Sequence, residues 1–411
     1  MAIQPKDDDQ ADTRERMFAQ PLDLAELSAW LRLANAPLVG PIRIRRLLER
    51  FGLPVDVLRA KASALASIVG PVGAEHLLAA PTAAFQRDVD RVAAWLETDS
   101  HHFVVLGDPA YPPALLESPD PPPVLYICGR LELLHPKPEG RPTVAVVGSR
   151  RATHVGCAHA QRFARALGEA GVPVLSGLAL GIDAVAHESA IDTVGGTIAV
   201  VGTGADRFYP RSNVELAQRI AVEGAIVSEW PLGTPPRPAH FPRRNRVIAA
   251  LSTGVLVVEA TPHSGSLITA QLAVDYGRDV YAIPGSVEAP YKRGCNGLIR
   301  DGAMLVESPR DLLAALGLVC PEARRERIVH RNAVSADAFD ESLSGSAICE
   351  ASDPIERQRV LDALGHDPAA IDGLVARTGL SGAQVQSAVL SLELDGEVEW
   401  LSSGLLARIV T

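Results

Sequence analysis

Between residues 141 and 300 the chain alternates two kinds of stretch. Short β-branched apolar runs occur at 143–148 (TVAVVG), 172–177 (VPVLSG), 197–202 (TIAVVG), 225–229 (AIVSE), 254–260 (GVLVVEA) and 279–285 (DVYAIPG). Between them lie stretches with helical spacing, among them AHAQRFARALGEAG, IDAVAHESAI and SLITAQLAVDYG. Strands that are apolar on both faces and separated by helices specify a parallel sheet covered on each side. The predicted fold class is therefore α/β, a Rossmann-like doubly wound sheet. Such a sheet places its ligand at the carboxyl ends of the strands, near the point where strand order reverses.

The flanks read differently. Before the sheet, LAELSAWLRLANA, IRIRRLLERFG, AEHLLAA and RVAAWLE are helical patterns. The turn at 38–48 (LVGPIRIRRLL) resembles a helix-hairpin-helix or SAM-like unit, and it also reads as a plain bundle turn with solvated arginines. After the sheet, three helical patterns and a two-stranded ribbon around Gly404 form a winged-helix pattern, with Ser381 capping the third helix. That helix carries Gln384 and Gln386 but no Lys or Arg, which favours protein contacts over DNA reading. Proline-rich stretches at 119–123 and 135–142 and a polar stretch after 318 set the boundaries. The expected organisation is a tail at 1–21, a helical domain at 22–118, the sheet domain at 119–318, a linker at 319–353 and a winged helix at 354–411.

Composition narrows the function. No run approaches the ~18 apolar residues of a spanning helix, and the first twenty residues lack the apolar core of a secretory signal, so a cytoplasmic protein without a membrane partner is expected. The five cysteines form no C-x-x-C pair, which fits a reducing compartment and gives no metal site. The net charge of −10 argues against a polyanionic partner, but its distribution reverses that. Residues 141–300 carry 16 Lys and Arg against 12 Asp and Glu, whereas both flanks are acidic.

The candidate chemistry sits on the rims of this basic segment. Gly148-Ser149-Arg150 follows the first strand: glycine permits close approach, the following helix offers N–H groups, and Arg150 can fork onto a phosphate. In 176–183 (SGLALGID) the small residues are expected to expose successive amides, with Asp183 capping the next helix. Arg243 and Arg246 share a face at the start of a helix, where positive charge is unfavourable unless an anion binds. No Asp or Glu lies between Glu229 and Glu259 to pair them, which points to an anion site. Ser264-Gly265 opens a further helix at the same end of the sheet. Phe208, Tyr209 and Phe241 are the stacking candidates. His187 reads as a structural helix-face histidine, and neither a dinucleotide fingerprint nor a P-loop is present, so no cofactor is expected.

The ordered set GSR (148–150), SGLALGID (176–183), FYPRSN (208–213), SEWPLG (228–233), FPRRNRVIAALS (241–252), SGSLITAQLA (264–273), GRDVYAIPG (277–285) and GCNGLIRDGA (294–303) closely resembles the DNA-processing protein A family, DprA/Smf. The resemblance implies an extended Rossmann fold that binds and protects single-stranded DNA, dimerises, and loads the RecA recombinase during natural transformation, without catalysis. By it, Gly148, Ser149 and Arg150 would hold a backbone phosphate with Ser176 and Gly177 beside them, and Arg211, Arg243, Asn245 and Arg246 would line the same pocket. The alternative is a nucleotide-hydrolysing enzyme of the phosphoribohydrolase type. Against it, 284–288 (PGSVE) lacks the second glycine and the threonine of the P-G-G-x-G-T-x-x-E signature of that group.

Overall fold

A computed structural model describes residues 22–135, 142–318, 354–364, 368–400 and 405–409. The expected tail at 1–21, the linker at 319–353 and Gly404 lie outside the described residues. The structure divides into a large unit and a smaller one made of the C-terminal residues together with Thr153–His159.

The large unit begins with helices α1 (Leu24–Asn35), α2 (Pro41–Phe51), α3 (Pro54–Arg59), α4 (Ala62–Leu78) and α5 (Ala83–Trp95). Strand β1 (His101–Val105), the short α6 (Pro113–Leu116), β2 (Val124–Gly129) and β3 (Val144–Val147) follow. The chain then alternates: α7 (His154–Glu169), β4 (Val174–Ser176), α8 (Ile182–Ala190), β5 (Thr197–Val200), α9 (Val214–Glu223), β6 (Ala225–Ser228), α10 (His240–Leu251), β7 (Gly254–Val257), α11 (Gly265–Asp275), β8 (Asp279–Ala282), α12 (Arg293–Arg300), β9 (Met304–Leu305) and α13 (Pro309–Ala315).

The nine strands form one sheet in the order β1-β2-β6-β5-β4-β3-β7-β8-β9. Strands β3 to β9 pair in parallel, while β1 and β2 add an antiparallel edge. The six expected strands are all present. From β3 the chain winds outward through β4, β5 and β6, then returns through α10 to place β7 on the other side of β3. The switch point therefore lies between β3 and β7, and the turns that leave those strands flank the predicted ligand crevice.

Alternate residues of each strand serve two cores. Ala145, Val147, Leu175, Val200, Val255 and Val257 pack on one face with α10 and α11. Val144, Val146, Val174, Leu256 and Val258 pack on the other against Phe163 and Leu167 of α7 and Ala186 of α8. Burial on both faces explains why these strands read as unbroken apolar runs. A third cluster joins Leu27, Trp30 and Leu31 of α1 and Val89 and Val92 of α5 to Phe103, Val105 and Tyr126 of β1 and β2. There the Phe103 and Tyr126 rings meet edge to face, with centroids 5.1 Å apart. The sheet thus starts at His101, ahead of the boundary expected at 118–119.

The C-terminal unit contains α14 (Pro354–Leu364), α15 (Ile371–Thr378), α16 (Gly382–Leu394) and the antiparallel pair β10 (Val398–Trp400) and β11 (Leu406–Arg408). Val360, Leu374, Val385, Leu392, Val398 and Leu406 form its core. Ser381 caps α16 in a reciprocal box: its Oγ accepts from the Gln384 N–H at 3.3 Å, and Gln384 Oε1 accepts from the Ser381 N–H at 3.0 Å. Gln384 is therefore already engaged, and α16 presents no basic residue to a groove.

Candidate nucleic-acid interface

The rim starts at the turn after β3. A Cβ on Gly148 would run into the Ile182 side chain and lie 3.0 Å from the Glu259 carbonyl, so only glycine lets the turns after β3 and β4 close on each other. They are joined where the Ile182 N–H donates to the Ser149 carbonyl at 3.2 Å, beside Gly181 at φ +75°. Ser149 Oγ accepts from the Arg151 N–H at 3.1 Å, which shapes the turn and leaves Arg150 exposed.

Arg150 lies over an aromatic ledge. Its guanidinium carbon is 5.7 Å from the Phe241 ring centroid, and the Tyr209 ring lies 5.7 Å from Phe241, tilted by 39°. Arg243, one turn into α10, holds its guanidinium 4.8 Å from the Trp230 ring, and Trp230 is stacked on His240 at 3.6 Å. Arginine heads over aromatic faces keep their outer N–H groups available to an anion. Asn245 Nδ2 donates to the Gly265 carbonyl at 3.3 Å, tying α10 to the turn that opens α11. Ser264 caps that helix through the Ser266 N–H at 3.4 Å, and Gly265 is exposed with open space around it. Arg211 is exposed at the start of a 3-10 turn, Arg211–Asn213, two residues beyond Tyr209.

The structure corrects three of the residue assignments. First, the turn after β4 does not present its amides. The Gly177 and Ala179 N–H groups donate to Asp183 Oδ2 at 3.1 and 3.4 Å, and the Leu178 N–H donates to His187 Nε2 at 3.3 Å. Asp183 is thus committed to this turn rather than to a helix cap. Second, Ser176 is fully buried, and its Oγ donates to the Val146 carbonyl at 2.7 Å, which ties β4 to β3. Gly177 is buried beneath the Arg244 guanidinium, which occupies the place a Cβ would take. Both residues are buried in this arrangement.

Third, Arg246 is not a surface cation. Its side chain is 8% exposed, and it pairs with Glu229, itself 5% exposed. Its Nε lies 3.3 Å from Asp120 Oδ2, and Nη1 donates to the Asp120 carbonyl at 2.6 Å. The partners are distant or at the edge of the acid-free stretch, so inspecting that stretch alone could not reveal them. Burial raises the Glu229 carboxyl above its ordinary range, and Arg246 and then Arg243 oppose that shift. Arg243 lies 3.6 Å from the same carboxylate but is 47% exposed, so it remains accessible.

Two buried groups support the rim from below: Arg244, whose burial the sequence did not reveal, and His187, which takes the structural role read for it. Arg244 is buried, donates to the Val200 carbonyl, and faces Asp183. Burial depresses its guanidinium to about 10, with Asp183 opposing and Arg150 adding to the shift; it stays charged at neutral pH. His187 is also buried. The Thr197 hydroxyl donates to the Val174 carbonyl at 2.8 Å, so His187 Nδ1 donates to Thr197 Oγ1 at 2.7 Å and Nε2 is left to accept from Leu178. Burial, then Arg244, hold this imidazole down at about 3, neutral as the tautomer requires. Trp230, two residues past the end of β6, is a further group the sequence reading did not single out; Phe208, by contrast, packs against the core beside β1 and β2.

The family described as DNA recombination-mediator protein A matches residues 102–317, and the DprA winged helix domain matches 349–404. Protein Smf of Synechocystis sp. is 36% identical over 392 residues, covering 91% of this chain and 96% of that protein. The X-ray structure of DNA processing protein A from Streptococcus pneumoniae is 37% identical, with a TM-score of 0.59 over 69% of this chain and 95% of that one. A structure of DNA processing protein A from Helicobacter pylori, described by its single-stranded DNA binding mode, is 31% identical over 52% of this chain and 95% of that one, with a TM-score of 0.47. A sheet rim of exposed arginines and rings, a matching central domain and a matching winged helix converge: the chain belongs to the DNA recombination-mediator protein A family.

Proposed function

We propose that this protein binds single-stranded DNA along the carboxyl ends of β3, β5 and β7 and acts as a recombination mediator rather than as an enzyme. The observation that carries this reading is the pairing of exposed Arg150 and Arg243 with the Phe241 and Trp230 rings at the switch point. Phosphates need forked cations and unpaired bases need π-faces, and this rim supplies both within one helix start and one turn. Gly148, Ser149, Asn245, Ser264 and Gly265 shape the groove, and Arg211 extends its positive edge. Contacts of this kind read the backbone, so little sequence preference follows.

We extend the proposal to hand-off to a recombinase of the RecA type, protection of incoming DNA, a role in natural transformation and a homodimeric state, on the strength of the family match. We place the protein in the cytoplasm, where that hand-off would occur. Among the described residues, no single helix is long and apolar enough to cross a membrane.

The test is fluorescence anisotropy with a labelled oligo-dT at two salt concentrations. Arg150→Ala and Arg243→Ala should each weaken binding by about 1–3 kcal/mol and each reduce the salt slope by about 1. Unchanged affinity in both variants, or release of a free base from a nucleotide, would overturn the reading.

A further inference from the structure

We propose that α2 carries a second nucleic-acid contact, separate from the sheet rim, that takes the phosphate backbone of duplex DNA. The helix is strongly two-sided. Ile44 and Leu47 are buried in the core of the helical region with Leu33, Val57 and Leu65. Arg43, Arg46 and Arg50 are all exposed and stand at i, i+3 and i+7, within about 60° of one another around the axis. At 1.5 Å per residue the row is about 10 Å long, the rise of about three phosphates along one strand of a duplex.

These charges are left uncompensated. Among the described residues none of the three makes an ion pair; the acidic residue of the helix, Glu49, is taken by Arg45 on a different face, at 3.0 Å. Arg43 is instead oriented by the turn, donating to the Leu38 carbonyl at 2.9 Å, and Arg50 is braced over the Phe51 ring at 5.6 Å. Like charges at these spacings oppose helix formation, and the first turn has no acid to offset them. The approach is open as well: at Gly40 an added Cβ would meet nothing within 4 Å.

A polyanion of regular spacing fits this row. A single strand would need large stacking platforms, and α1 to α4 present no exposed Phe, Tyr or Trp: Trp30 is buried and Phe51 lies half-buried beneath Arg50. The feature is independent of the reading proposed for the sheet rim, because it shares no residue with it.

The test uses the full chain with a labelled blunt duplex and, separately, labelled oligo-dT, at about 50 and about 200 mM salt. The triple variant Arg43→Gln, Arg46→Gln, Arg50→Gln should bind duplex at least about tenfold more weakly at the lower salt, with a salt slope shallower by about 2–3. Its oligo-dT affinity should stay within about twofold, and Arg150→Ala should show the opposite pattern. Because Arg43 also holds the Leu38 carbonyl, the double variant Arg46→Gln, Arg50→Gln, checked for an unchanged Tm, repeats the measurement without touching the turn. The proposal is overturned if wild-type protein does not bind duplex at the lower salt, if both variants bind it as well as wild type, or if duplex and oligo-dT affinity fall together.

Discussion

Arg246→Met separates a buried structural ion pair from a phosphate contact. The substitution keeps the length of the side chain and removes its charge, leaving Glu229 with 5% exposure and only the more distant, half-solvated Arg243 nearby. Breaking one side of a buried pair costs about 3–5 kcal/mol, because the other charge stays buried without its partner. For a unit of this size that is a fall in Tm of roughly 6–20 °C. The penalty should depend on pH in a defined direction. The folded-state pKa of Glu229 is already raised by burial, and losing Arg246 raises it further. A carboxyl raised in the fold is least unfavourable below its unfolded value near about 4.3 and becomes destabilising as the pH rises through the folded value. The Tm gap between variant and wild type should therefore narrow toward pH 4 and be full at neutral pH, and Glu229→Gln added to Arg246→Met should recover much of the loss. Differential scanning fluorimetry across pH, alongside oligo-dT anisotropy on folded protein, reads both quantities. A variant that melts within about 2 °C of wild type, against the 3–5 kcal/mol expected, yet loses as much DNA affinity as Arg150→Ala, would show that Arg246 is a ligand contact and refute the assignment.

Phe241→Ala should weaken oligo-dT binding by about 1–3 kcal/mol while leaving the salt slope unchanged, since a ring releases no counterions; an altered slope would point to a charge effect through Arg150. His187 gives a second pH signature. Its folded pKa is depressed to about 3, so its contribution is complete above the ordinary histidine range and is lost as pH falls toward that value, with a slope approaching about 1.4 kcal/mol per pH unit. Denaturant titrations of His187→Gln should show a shallower pH dependence between those limits, and an identical profile would count against a buried neutral imidazole. Gly177→Ala places a methyl where the Arg244 guanidinium lies and should cost about 1–3 kcal/mol in a chevron or urea titration, whereas Gly265→Ala, which meets open space, should be close to neutral in stability.

Much of the sheet could be read directly because its central strands are covered on both faces, and double coverage leaves short apolar runs whose length, β-branched content and flanking turn residues mark them as strands. β1 and β2 escaped notice for a local reason: HHFVV opens with two histidines, and VLYICG follows a proline cluster that marks a boundary by composition. β9 is two residues long and has no periodicity to detect. At the rim, Gly148 was identifiable because close approach of two turns admits only glycine, and Arg150 because it follows two residues later in the turn that leaves β3. The clash that makes Gly177 indispensable could not be foreseen, since its neighbour Arg244 comes from a helix more than sixty residues later.

The arginines of α10 divide along the same line. Sequence alone determined that Arg243, Arg244 and Arg246 gather at one helix start, that the segment around them is positive in an acidic chain, and that the ordered motifs match one family. Tertiary structure decided which of the three faces solvent. Helical periodicity alone does not sort them, since Arg243 and Arg246 lie only about 60° apart around the axis and Arg244 and Arg246 about 160°; Arg243 lies over Trp230 with 47% of its side chain exposed, whereas Arg244 and Arg246 are each buried by the segments packed against them. Their partners, Asp183, Asp120 and Glu229, arrive from separate segments, and only folding brings those charges within reach of one another.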